Sequence, residues 1–155
     1  MVILAAIDRS DRSGRVLEEA ESLAEAYNEE LHVVHVLSIG TFVDLEQTNV
    51  ESKKEVLNMD EVREVAASIA EETCSDLKYP YEVIGMVGDV EDEIIRYAGE
   101  HDISHIVLGP RKRSPTGKVL FGSVAQQVIL NAPCPVVTVT NSTIGATLEI
   151  QFPTG

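Results

Sequence analysis

The sequence predicts an α/β fold: a five-stranded, mostly parallel open sheet with helices on both faces, a three-layer sandwich. Three features predict it. Short apolar runs alternate with amphipathic helical stretches along most of the chain. The first and fourth runs are continuously apolar, as strands buried on both faces require. The alternation reads β-α-β-α-β-α-β-α-β, an order that calls for parallel pairing through crossover helices.

The first strand covers residues 2–7 and ends at Asp8. Val16, Leu17, Ala20, Leu23, Ala24 and Tyr27 then recur at helical spacing, with Glu18, Glu21 and Glu25 off that stripe. Residues 31–36, Leu-His-Val-Val-His-Val, read as the second strand. A polar connection over 37–58 follows, and connections of that length are often functional or mobile. A helix is predicted over 60–75 on Val62, Val65, Ala66 and Ile69, and a third strand over 81–86. Gly88-Asp89 turns the chain into another helix. Asp89 is its expected N-cap, and Glu91, Asp92 and Glu93 place negative charge at the positive end of the helix dipole. Val90, Ile94, Ile95 and Ala98 are expected to face the core.

The fourth strand, 105–108, ends at Gly109. A last helix over 123–130 turns Val124, Val128 and Ile129 inward. Asn131-Ala132-Pro133 ends it, and Pro135 opens a fifth strand over 136–140. Residues 141–155 lie outside the alternation, with a candidate extra strand over 147–152. The expected organisation is one domain over 1–140 and a C-terminal tail.

A chain of 155 residues, 44% hydrophobic, can bury a core without disulfide or metal staples. Its apolar runs are strand-sized, so no membrane-spanning helix is expected. Met1 leads directly into a strand, so no signal peptide is expected. Cys74 and Cys134 have no ligand spacing and read as reduced thiols of a cytoplasmic protein. The net charge of −14 argues against nucleic-acid binding. The acidic excess of 26 to 12 fits either a protein of very salty cytoplasm or a merely well-solvated acidic surface.

The positive charge is clustered. Arg9, Arg12 and Arg15 form one window and Arg111, Lys112, Arg113 and Lys118 another, together seven of twelve basic residues. Both windows follow apolar strands, at the carboxyl ends where open α/β sheets bind ligands. Gly109 lets the chain leave its strand and approach a ligand closely. Gly122-Ser123 opens a helix whose free N–H groups and dipole favour an anion, and Ser123 adds a hydroxyl. Residues 109–123 are thus a candidate phosphate loop.

Competing chemistries lack their residues. Gly117-Lys118 is followed by Val119, so no P-loop is present. A phosphoacceptor receiver would need an aspartate ending the third strand and a lysine ending the fifth; Met86-Val87 and Thr140 stand there. His32 and His35 point to opposite strand faces, and His101 and His105 flank a strand start, so no metal set is expected. Cys134 and Ser123 lack a basic partner for nucleophilic catalysis.

The chain resembles the universal stress protein family, whose signature is Gly, two residues, Gly, nine residues, then Gly-Ser or Gly-Thr. Gly109 and Gly122-Ser123 stand at that spacing. Ala6-Ile7-Asp8 with Ser10 and Ser13, His35-Val36, Gly88 and Ala132-Pro133-Cys134-Pro135-Val136-Val137 extend the likeness over 1–140. The resemblance implies a Rossmann-like, adenine-nucleotide alpha-hydrolase-like fold and a cytoplasmic stress-response regulator rather than an enzyme. It implies ATP or another adenine nucleotide (ADP or AMP) as ligand, with Mg2+ as a candidate companion. It also implies a homodimer through strand 136–139 and a protein partner of unknown identity.

Carried over by residue, Asp8 and either Val34 or Val36 would hold the nucleoside. Leu108, Gly109, Arg111 and Lys112 would line the middle of the site. Gly122, Ser123, Val124 and Ala125 would meet the phosphates. Asp8 as a helix cap, and Val34 and Val36 as core residues, are the plainer alternatives. Two positions depart from the family. Lys112 replaces the second signature glycine, and Arg9 replaces the glycine common after the first-strand aspartate. The expectation is that phosphate binding passes from backbone to cationic side chains. The alternatives are a scaffold that has lost nucleotide and a slow ATP hydrolase.

Overall fold

A computed structural model describes residues 1–10, 12–38, 40, 58–109, 112–113 and 119–140, with residues 112, 113, 119 and 120 described by backbone alone. In chain order the elements are β1 (Val2–Ile7), α1 (Ser13–Tyr27), β2 (Glu30–Leu37), α2 (Met59–Thr73), β3 (Tyr81–Val87), α3 (Val90–Glu100), β4 (Ile103–Leu108), β5 (Lys112–Arg113), β6 (Val119–Leu120), α4 (Ser123–Asn131) and β7 (Val136–Thr138). The main sheet has the order β3-β2-β1-β4-β7, and all of its pairings are parallel.

Alternation along the strands splits the core into two layers. Leu4, Val34, Met86 and Ile106 pack beneath Ile94 and Ala98 of α3 and Val128 of α4. Ile3, Ala5, Val33 and Val107 pack beneath Val16, Leu17 and Ala20 of α1 and Ala70 of α2. This is the doubly covered parallel sheet that the apolar runs predict. At about 25 cal/mol per Å2, each large side chain buried here contributes roughly 1.5–3 kcal/mol.

Several details differ from the sequence reading. The helix expected to run to residue 75 ends at Thr73 and tightens into a 3-10 turn at Cys74–Asp76. β4 begins at Ile103, where Ser104 breaks the apolar pattern yet is buried on a hydrogen bond to the Val2 carbonyl. β7 spans three residues rather than five. Tyr27 is 55% exposed and stacks on His105, ring centroids 5.5 Å apart, because it is the last residue of α1. Ile129 is 43% exposed on the outward side of α4.

Asp89 holds the N-cap position of α3 without a side-chain cap hydrogen bond. Its carboxyl pairs with Glu91, whose hydrogen bond and charge raise the Asp89 pKa. Asn58 caps α2 properly, accepting from Glu61 N–H at 2.8 Å. The antiparallel β5–β6 ribbon, Lys112 opposite Leu120, lies inside the loop that sequence periodicity left without structure. The 37–58 connection and the 141–155 tail, with its candidate strand, fall outside the described residues except for Leu37, Ser38, Gly40 and Asn58.

Two glycines set the geometry near the site. Gly85 pairs with His35 across β2 and β3. A Cβ on Gly85 would stand 2.1 Å from the Arg63 carbonyl oxygen and 2.5 Å from Ala67 N, so only glycine lets the α2 backbone lie on the sheet. Gly88 turns with φ 147° and donates its N–H to the Leu37 carbonyl at 2.9 Å.

Candidate functional site

The chain leaves β1 toward β2 and β3, then crosses back to lay β4 on the other side of β1. The connections after β1 and β4 therefore run to opposite faces, and a crevice opens between the carboxyl ends of the two strands. A cleft of about 450 Å3 lies there. That volume falls within the roughly 300–1,000 Å3 of small-molecule sites. Its walls are largely apolar, from Ile7, Val16, Val36, Leu37, Ile94, Leu108 and Val124. Polar groups converge from the β1–α1 turn: Asp8, Arg9, Ser10, Arg12 and Ser13.

That turn is tied from within. Ser10 donates its N–H to Asp8 Oδ1 at 2.8 Å and its hydroxyl to the same oxygen at 2.5 Å. Ser13, 2% exposed, donates its hydroxyl to the Asp8 carbonyl at 2.7 Å, lies 3.2 Å from Oδ1, and accepts the Asp8 N–H at 3.1 Å. Burial pushes the Asp8 carboxyl up. The hydrogen bonds from Ser10 and Ser13 and the nearby Arg12 charge outweigh that, leaving its pKa below the usual value. Asp8 braces the turn rather than capping the helix. Arg12 holds the N-cap position of α1, with helical dihedrals and no side-chain cap bond.

The opposite wall is made by backbone. Gly109 has no left-handed φ. The fit there is close, since a Cβ would lie 3.2 Å from Val16 Cγ2, which would have to yield by a few tenths of an ångström, and in ordinary contact at 3.4 Å from the Val139 carbonyl oxygen. Gly122 is the N-cap of α4, extended and without a side-chain cap bond. The first N–H groups of that helix have no partner within it, so they and the dipole offer a weakly positive end to the cleft.

The structure thus brings together Asp8, Val36, Leu108, Gly109, Gly122, Val124 and Ala125 around one cleft. Val34 lies beneath it, 1% exposed, among core residues. Ser123 opens α4 beside the cleft without lining it. Arg111 lies outside the described residues, and of Lys112 only the backbone, paired with Leu120, is described. The basic window predicted after the first strand brings Arg9 and Arg12 to the cleft, whereas Ser13, Val16, His35, Ser38, Val90 and Ile94 were not expected among its lining. Hydroxyls two and five residues after an aspartate are a legible sign of such a turn. The other residues come from packing between distant segments.

An open parallel sheet with its cleft at the point of strand reversal defines a Rossmann-like α/β domain. The chain belongs to the universal stress protein family, whose sequence model matches residues 1–140. It is 34% identical to universal stress protein A homolog 1 of Coxiella burnetii over 88% of this chain and 94% of that one. A universal stress protein of Mycolicibacterium smegmatis is 38% identical over a shorter stretch, 51% of this chain and 58% of that one. Among solved structures, the universal stress protein of Archaeoglobus fulgidus in complex with dAMP is 31% identical, with a TM-score of 0.55 over 89% of this chain and 96% of that one. Among the described residues no helix is long and apolar enough to cross a membrane, and no group of three His, Cys, Asp or Glu is placed to hold a metal ion.

Proposed function

We propose that this chain is a regulatory protein that binds an adenine nucleotide in the cleft between β1 and β4. One observation carries the reading: an apolar cleft of nucleotide size, with a braced carboxylate and two arginines on one wall and an uncapped helix N-terminus on the other. The dAMP held by the Archaeoglobus fulgidus relative supports the ligand class. The base would lie against the apolar end, and the phosphates toward Gly109, Gly122 and the N–H groups of Ser123, Val124 and Ala125. Arg9 and Arg12 supply positive charge at the rim, and Lys112 would supply more in place of the missing glycine.

Mg2+ accompanying the phosphates would find one carboxylate on the cleft, Asp8, whose Oδ2 takes no hydrogen bond among the described residues. Binding rather than turnover is the proposed activity. Pairing of two copies through the edge strand β7 completes the reading, and sedimentation of the purified chain tests it.

The decisive experiment is calorimetric titration with AMP, ADP and ATP, joined by mass spectrometry of nucleotide released on denaturing freshly purified protein. An Arg9→Ala, Arg12→Ala double variant, which removes the positive charge at the rim, should lose at least tenfold in ATP affinity, about 1.4 kcal/mol. Absence of any bound or titratable nucleotide would leave the scaffold reading in its place.

A further inference from the structure

β7 is an edge strand, and its pairing with β4 is the only one it makes among the described residues. Ile106 donates its N–H to the Pro135 carbonyl, and Val139 donates its own to the Leu108 carbonyl at 2.8 Å. Pro135, Val137 and Val139 therefore turn their backbone groups toward β4, and strand alternation turns those of Val136 and Thr138 outward. All three residues of β7 are only half-buried. Residues 132–140 hold no charge, and Pro135 guards only the entry to the strand. Sheet edges are ordinarily blunted by charge or proline, or else covered, so this edge calls for cover. The opposite edge is blunted, since β3 follows Pro80 and carries Glu82. α4 leads into β7 through residues 132–135, and its last turn adds two exposed apolar side chains, Ile129 at 43% and Leu130 at 76%.

We propose that the outward edge of β7 is a docking surface for this chain's own residues 147–152, which fold back on it as an antiparallel strand. Leu148, Ile150 and Phe152 alternate with Thr147, Glu149 and Gln151, the pattern of a strand with one buried face, and Pro153 stops it. Residues 141–146, Asn-Ser-Thr-Ile-Gly-Ala, supply the reversal. A parallel addition needs a crossover of about a dozen residues or more, so this shorter link fixes the antiparallel sense. Extended, the link spans about 20 Å, well beyond the roughly 4.8 Å between neighbouring strands. The apolar face turns to the α4 side, where Val136 packs and where Ile129 and Leu130 lack cover. Glu149, on the other face, brings to the edge the charge that β7 itself lacks. The inference stands apart from the nucleotide reading. It bears on the pairing of copies, because a second copy takes β7 only by displacing this segment.

The test is amide hydrogen exchange in the full chain, followed by NMR at Thr138 with Val139 as the internal reference. The Val139 N–H is bonded to Leu108 whatever covers the edge, so its protection reports that the sheet is folded. The Thr138 N–H should be protected as well, to the same degree over about a hundredfold range of protein concentration, and should show NOE contacts to residues 147–152. Leu148→Asp joined to Ile150→Asp should speed exchange at Thr138 by about tenfold or more while Val139 stays protected. Thr147→Asp joined to Gln151→Asp, on the polar face, should leave both amides as they were. Protection of Thr138 that falls on dilution assigns the edge to a second copy and overturns the inference. Free exchange of Thr138 in the unaltered chain, or protection that survives the Leu148 and Ile150 substitutions, overturns it too. None of these outcomes touches the nucleotide reading, which calorimetry decides separately.

Discussion

Two histidines three residues apart on β2 show how differently the two ends of the sheet are finished. Toward the amino end, His32 is fully occupied. Its Nδ1 meets the Tyr97 hydroxyl at 2.7 Å, and its Nε2 lies 3.4 Å from Glu30 and 3.3 Å from Glu82. The Tyr97 ring in turn stacks on His101, centroids 3.8 Å apart. Toward the carboxyl end, His35 has one nitrogen bonded and one bare. The amino edge uses its polar groups to hold β2, β3 and α3 together. The carboxyl edge leaves polar capacity unspent beside a cleft. A strained or incomplete site is where proteins place function, and a satisfied network is where they place stability.

That contrast is open to attack by mutation. The largest effect should come from Gly85→Ala, beside His35. The added Cβ meets the α2 backbone, so the helix must lift, and urea denaturation should show a loss of about 3 kcal/mol. Next is Tyr97→Phe, which strands His32 Nδ1 in the core. It should lower stability by about 2 kcal/mol and leave nucleotide affinity unchanged. A matching loss of affinity would show that the two edges are not separate in role.

Salt should act on the whole surface. With a net charge of −14, molar KCl relieves self-repulsion and should add about 1 kcal/mol, or roughly 3 °C in Tm for a chain this size. The smallest effect concerns Asp8. Its native pKa is lowered, so its contribution is complete above the ordinary carboxylate range and is lost as pH falls through the native value. Asp8→Asn should therefore be slightly less stable than the unaltered protein at pH 7 in urea, with the gap narrowing as the pH falls below the ordinary carboxylate range. A gap that widens in acid would show that Asp8 is not stabilised as the carboxylate.

The element order, the parallel sheet and the position of the cleft were legible because strand runs and helix stripes carry local periodicity, and because strand reversal fixes where ligands sit. Ser10 and Ser13 belong to the family likeness, but their grip on Asp8 is a matter of three-dimensional reach. His35 belongs to the family likeness, but its side chain carries no sequence sign of a role. Nothing in Leu-His-Val-Val-His-Val distinguishes the satisfied imidazole from the unsatisfied one, since their partners come from Tyr97, Glu82 and Ile7. Gly109 was legible as a close-approach position at the end of its strand, and the structure adds that it packs tightly on Val16 without an unusual backbone. Tyr27 and Ile129 fell on the apolar stripes yet stand half in solvent, because a helix end or flank outruns the sheet beneath it.

The central position of β1 has a consequence for the order of assembly. Its two neighbours come from residues 30–37 and 103–108, so one side of the cleft exists early in synthesis and the other only 71 residues later, from Leu37 to Leu108. Until Gly109, Gly122 and Ala125 have left the ribosome, there is no second wall for a ligand to touch. A ligand of this cleft therefore cannot rescue a chain cut short of the second wall, and its mass-action stabilisation goes only to molecules that extend beyond it. Occupancy of the cleft would report that synthesis has passed Ala125.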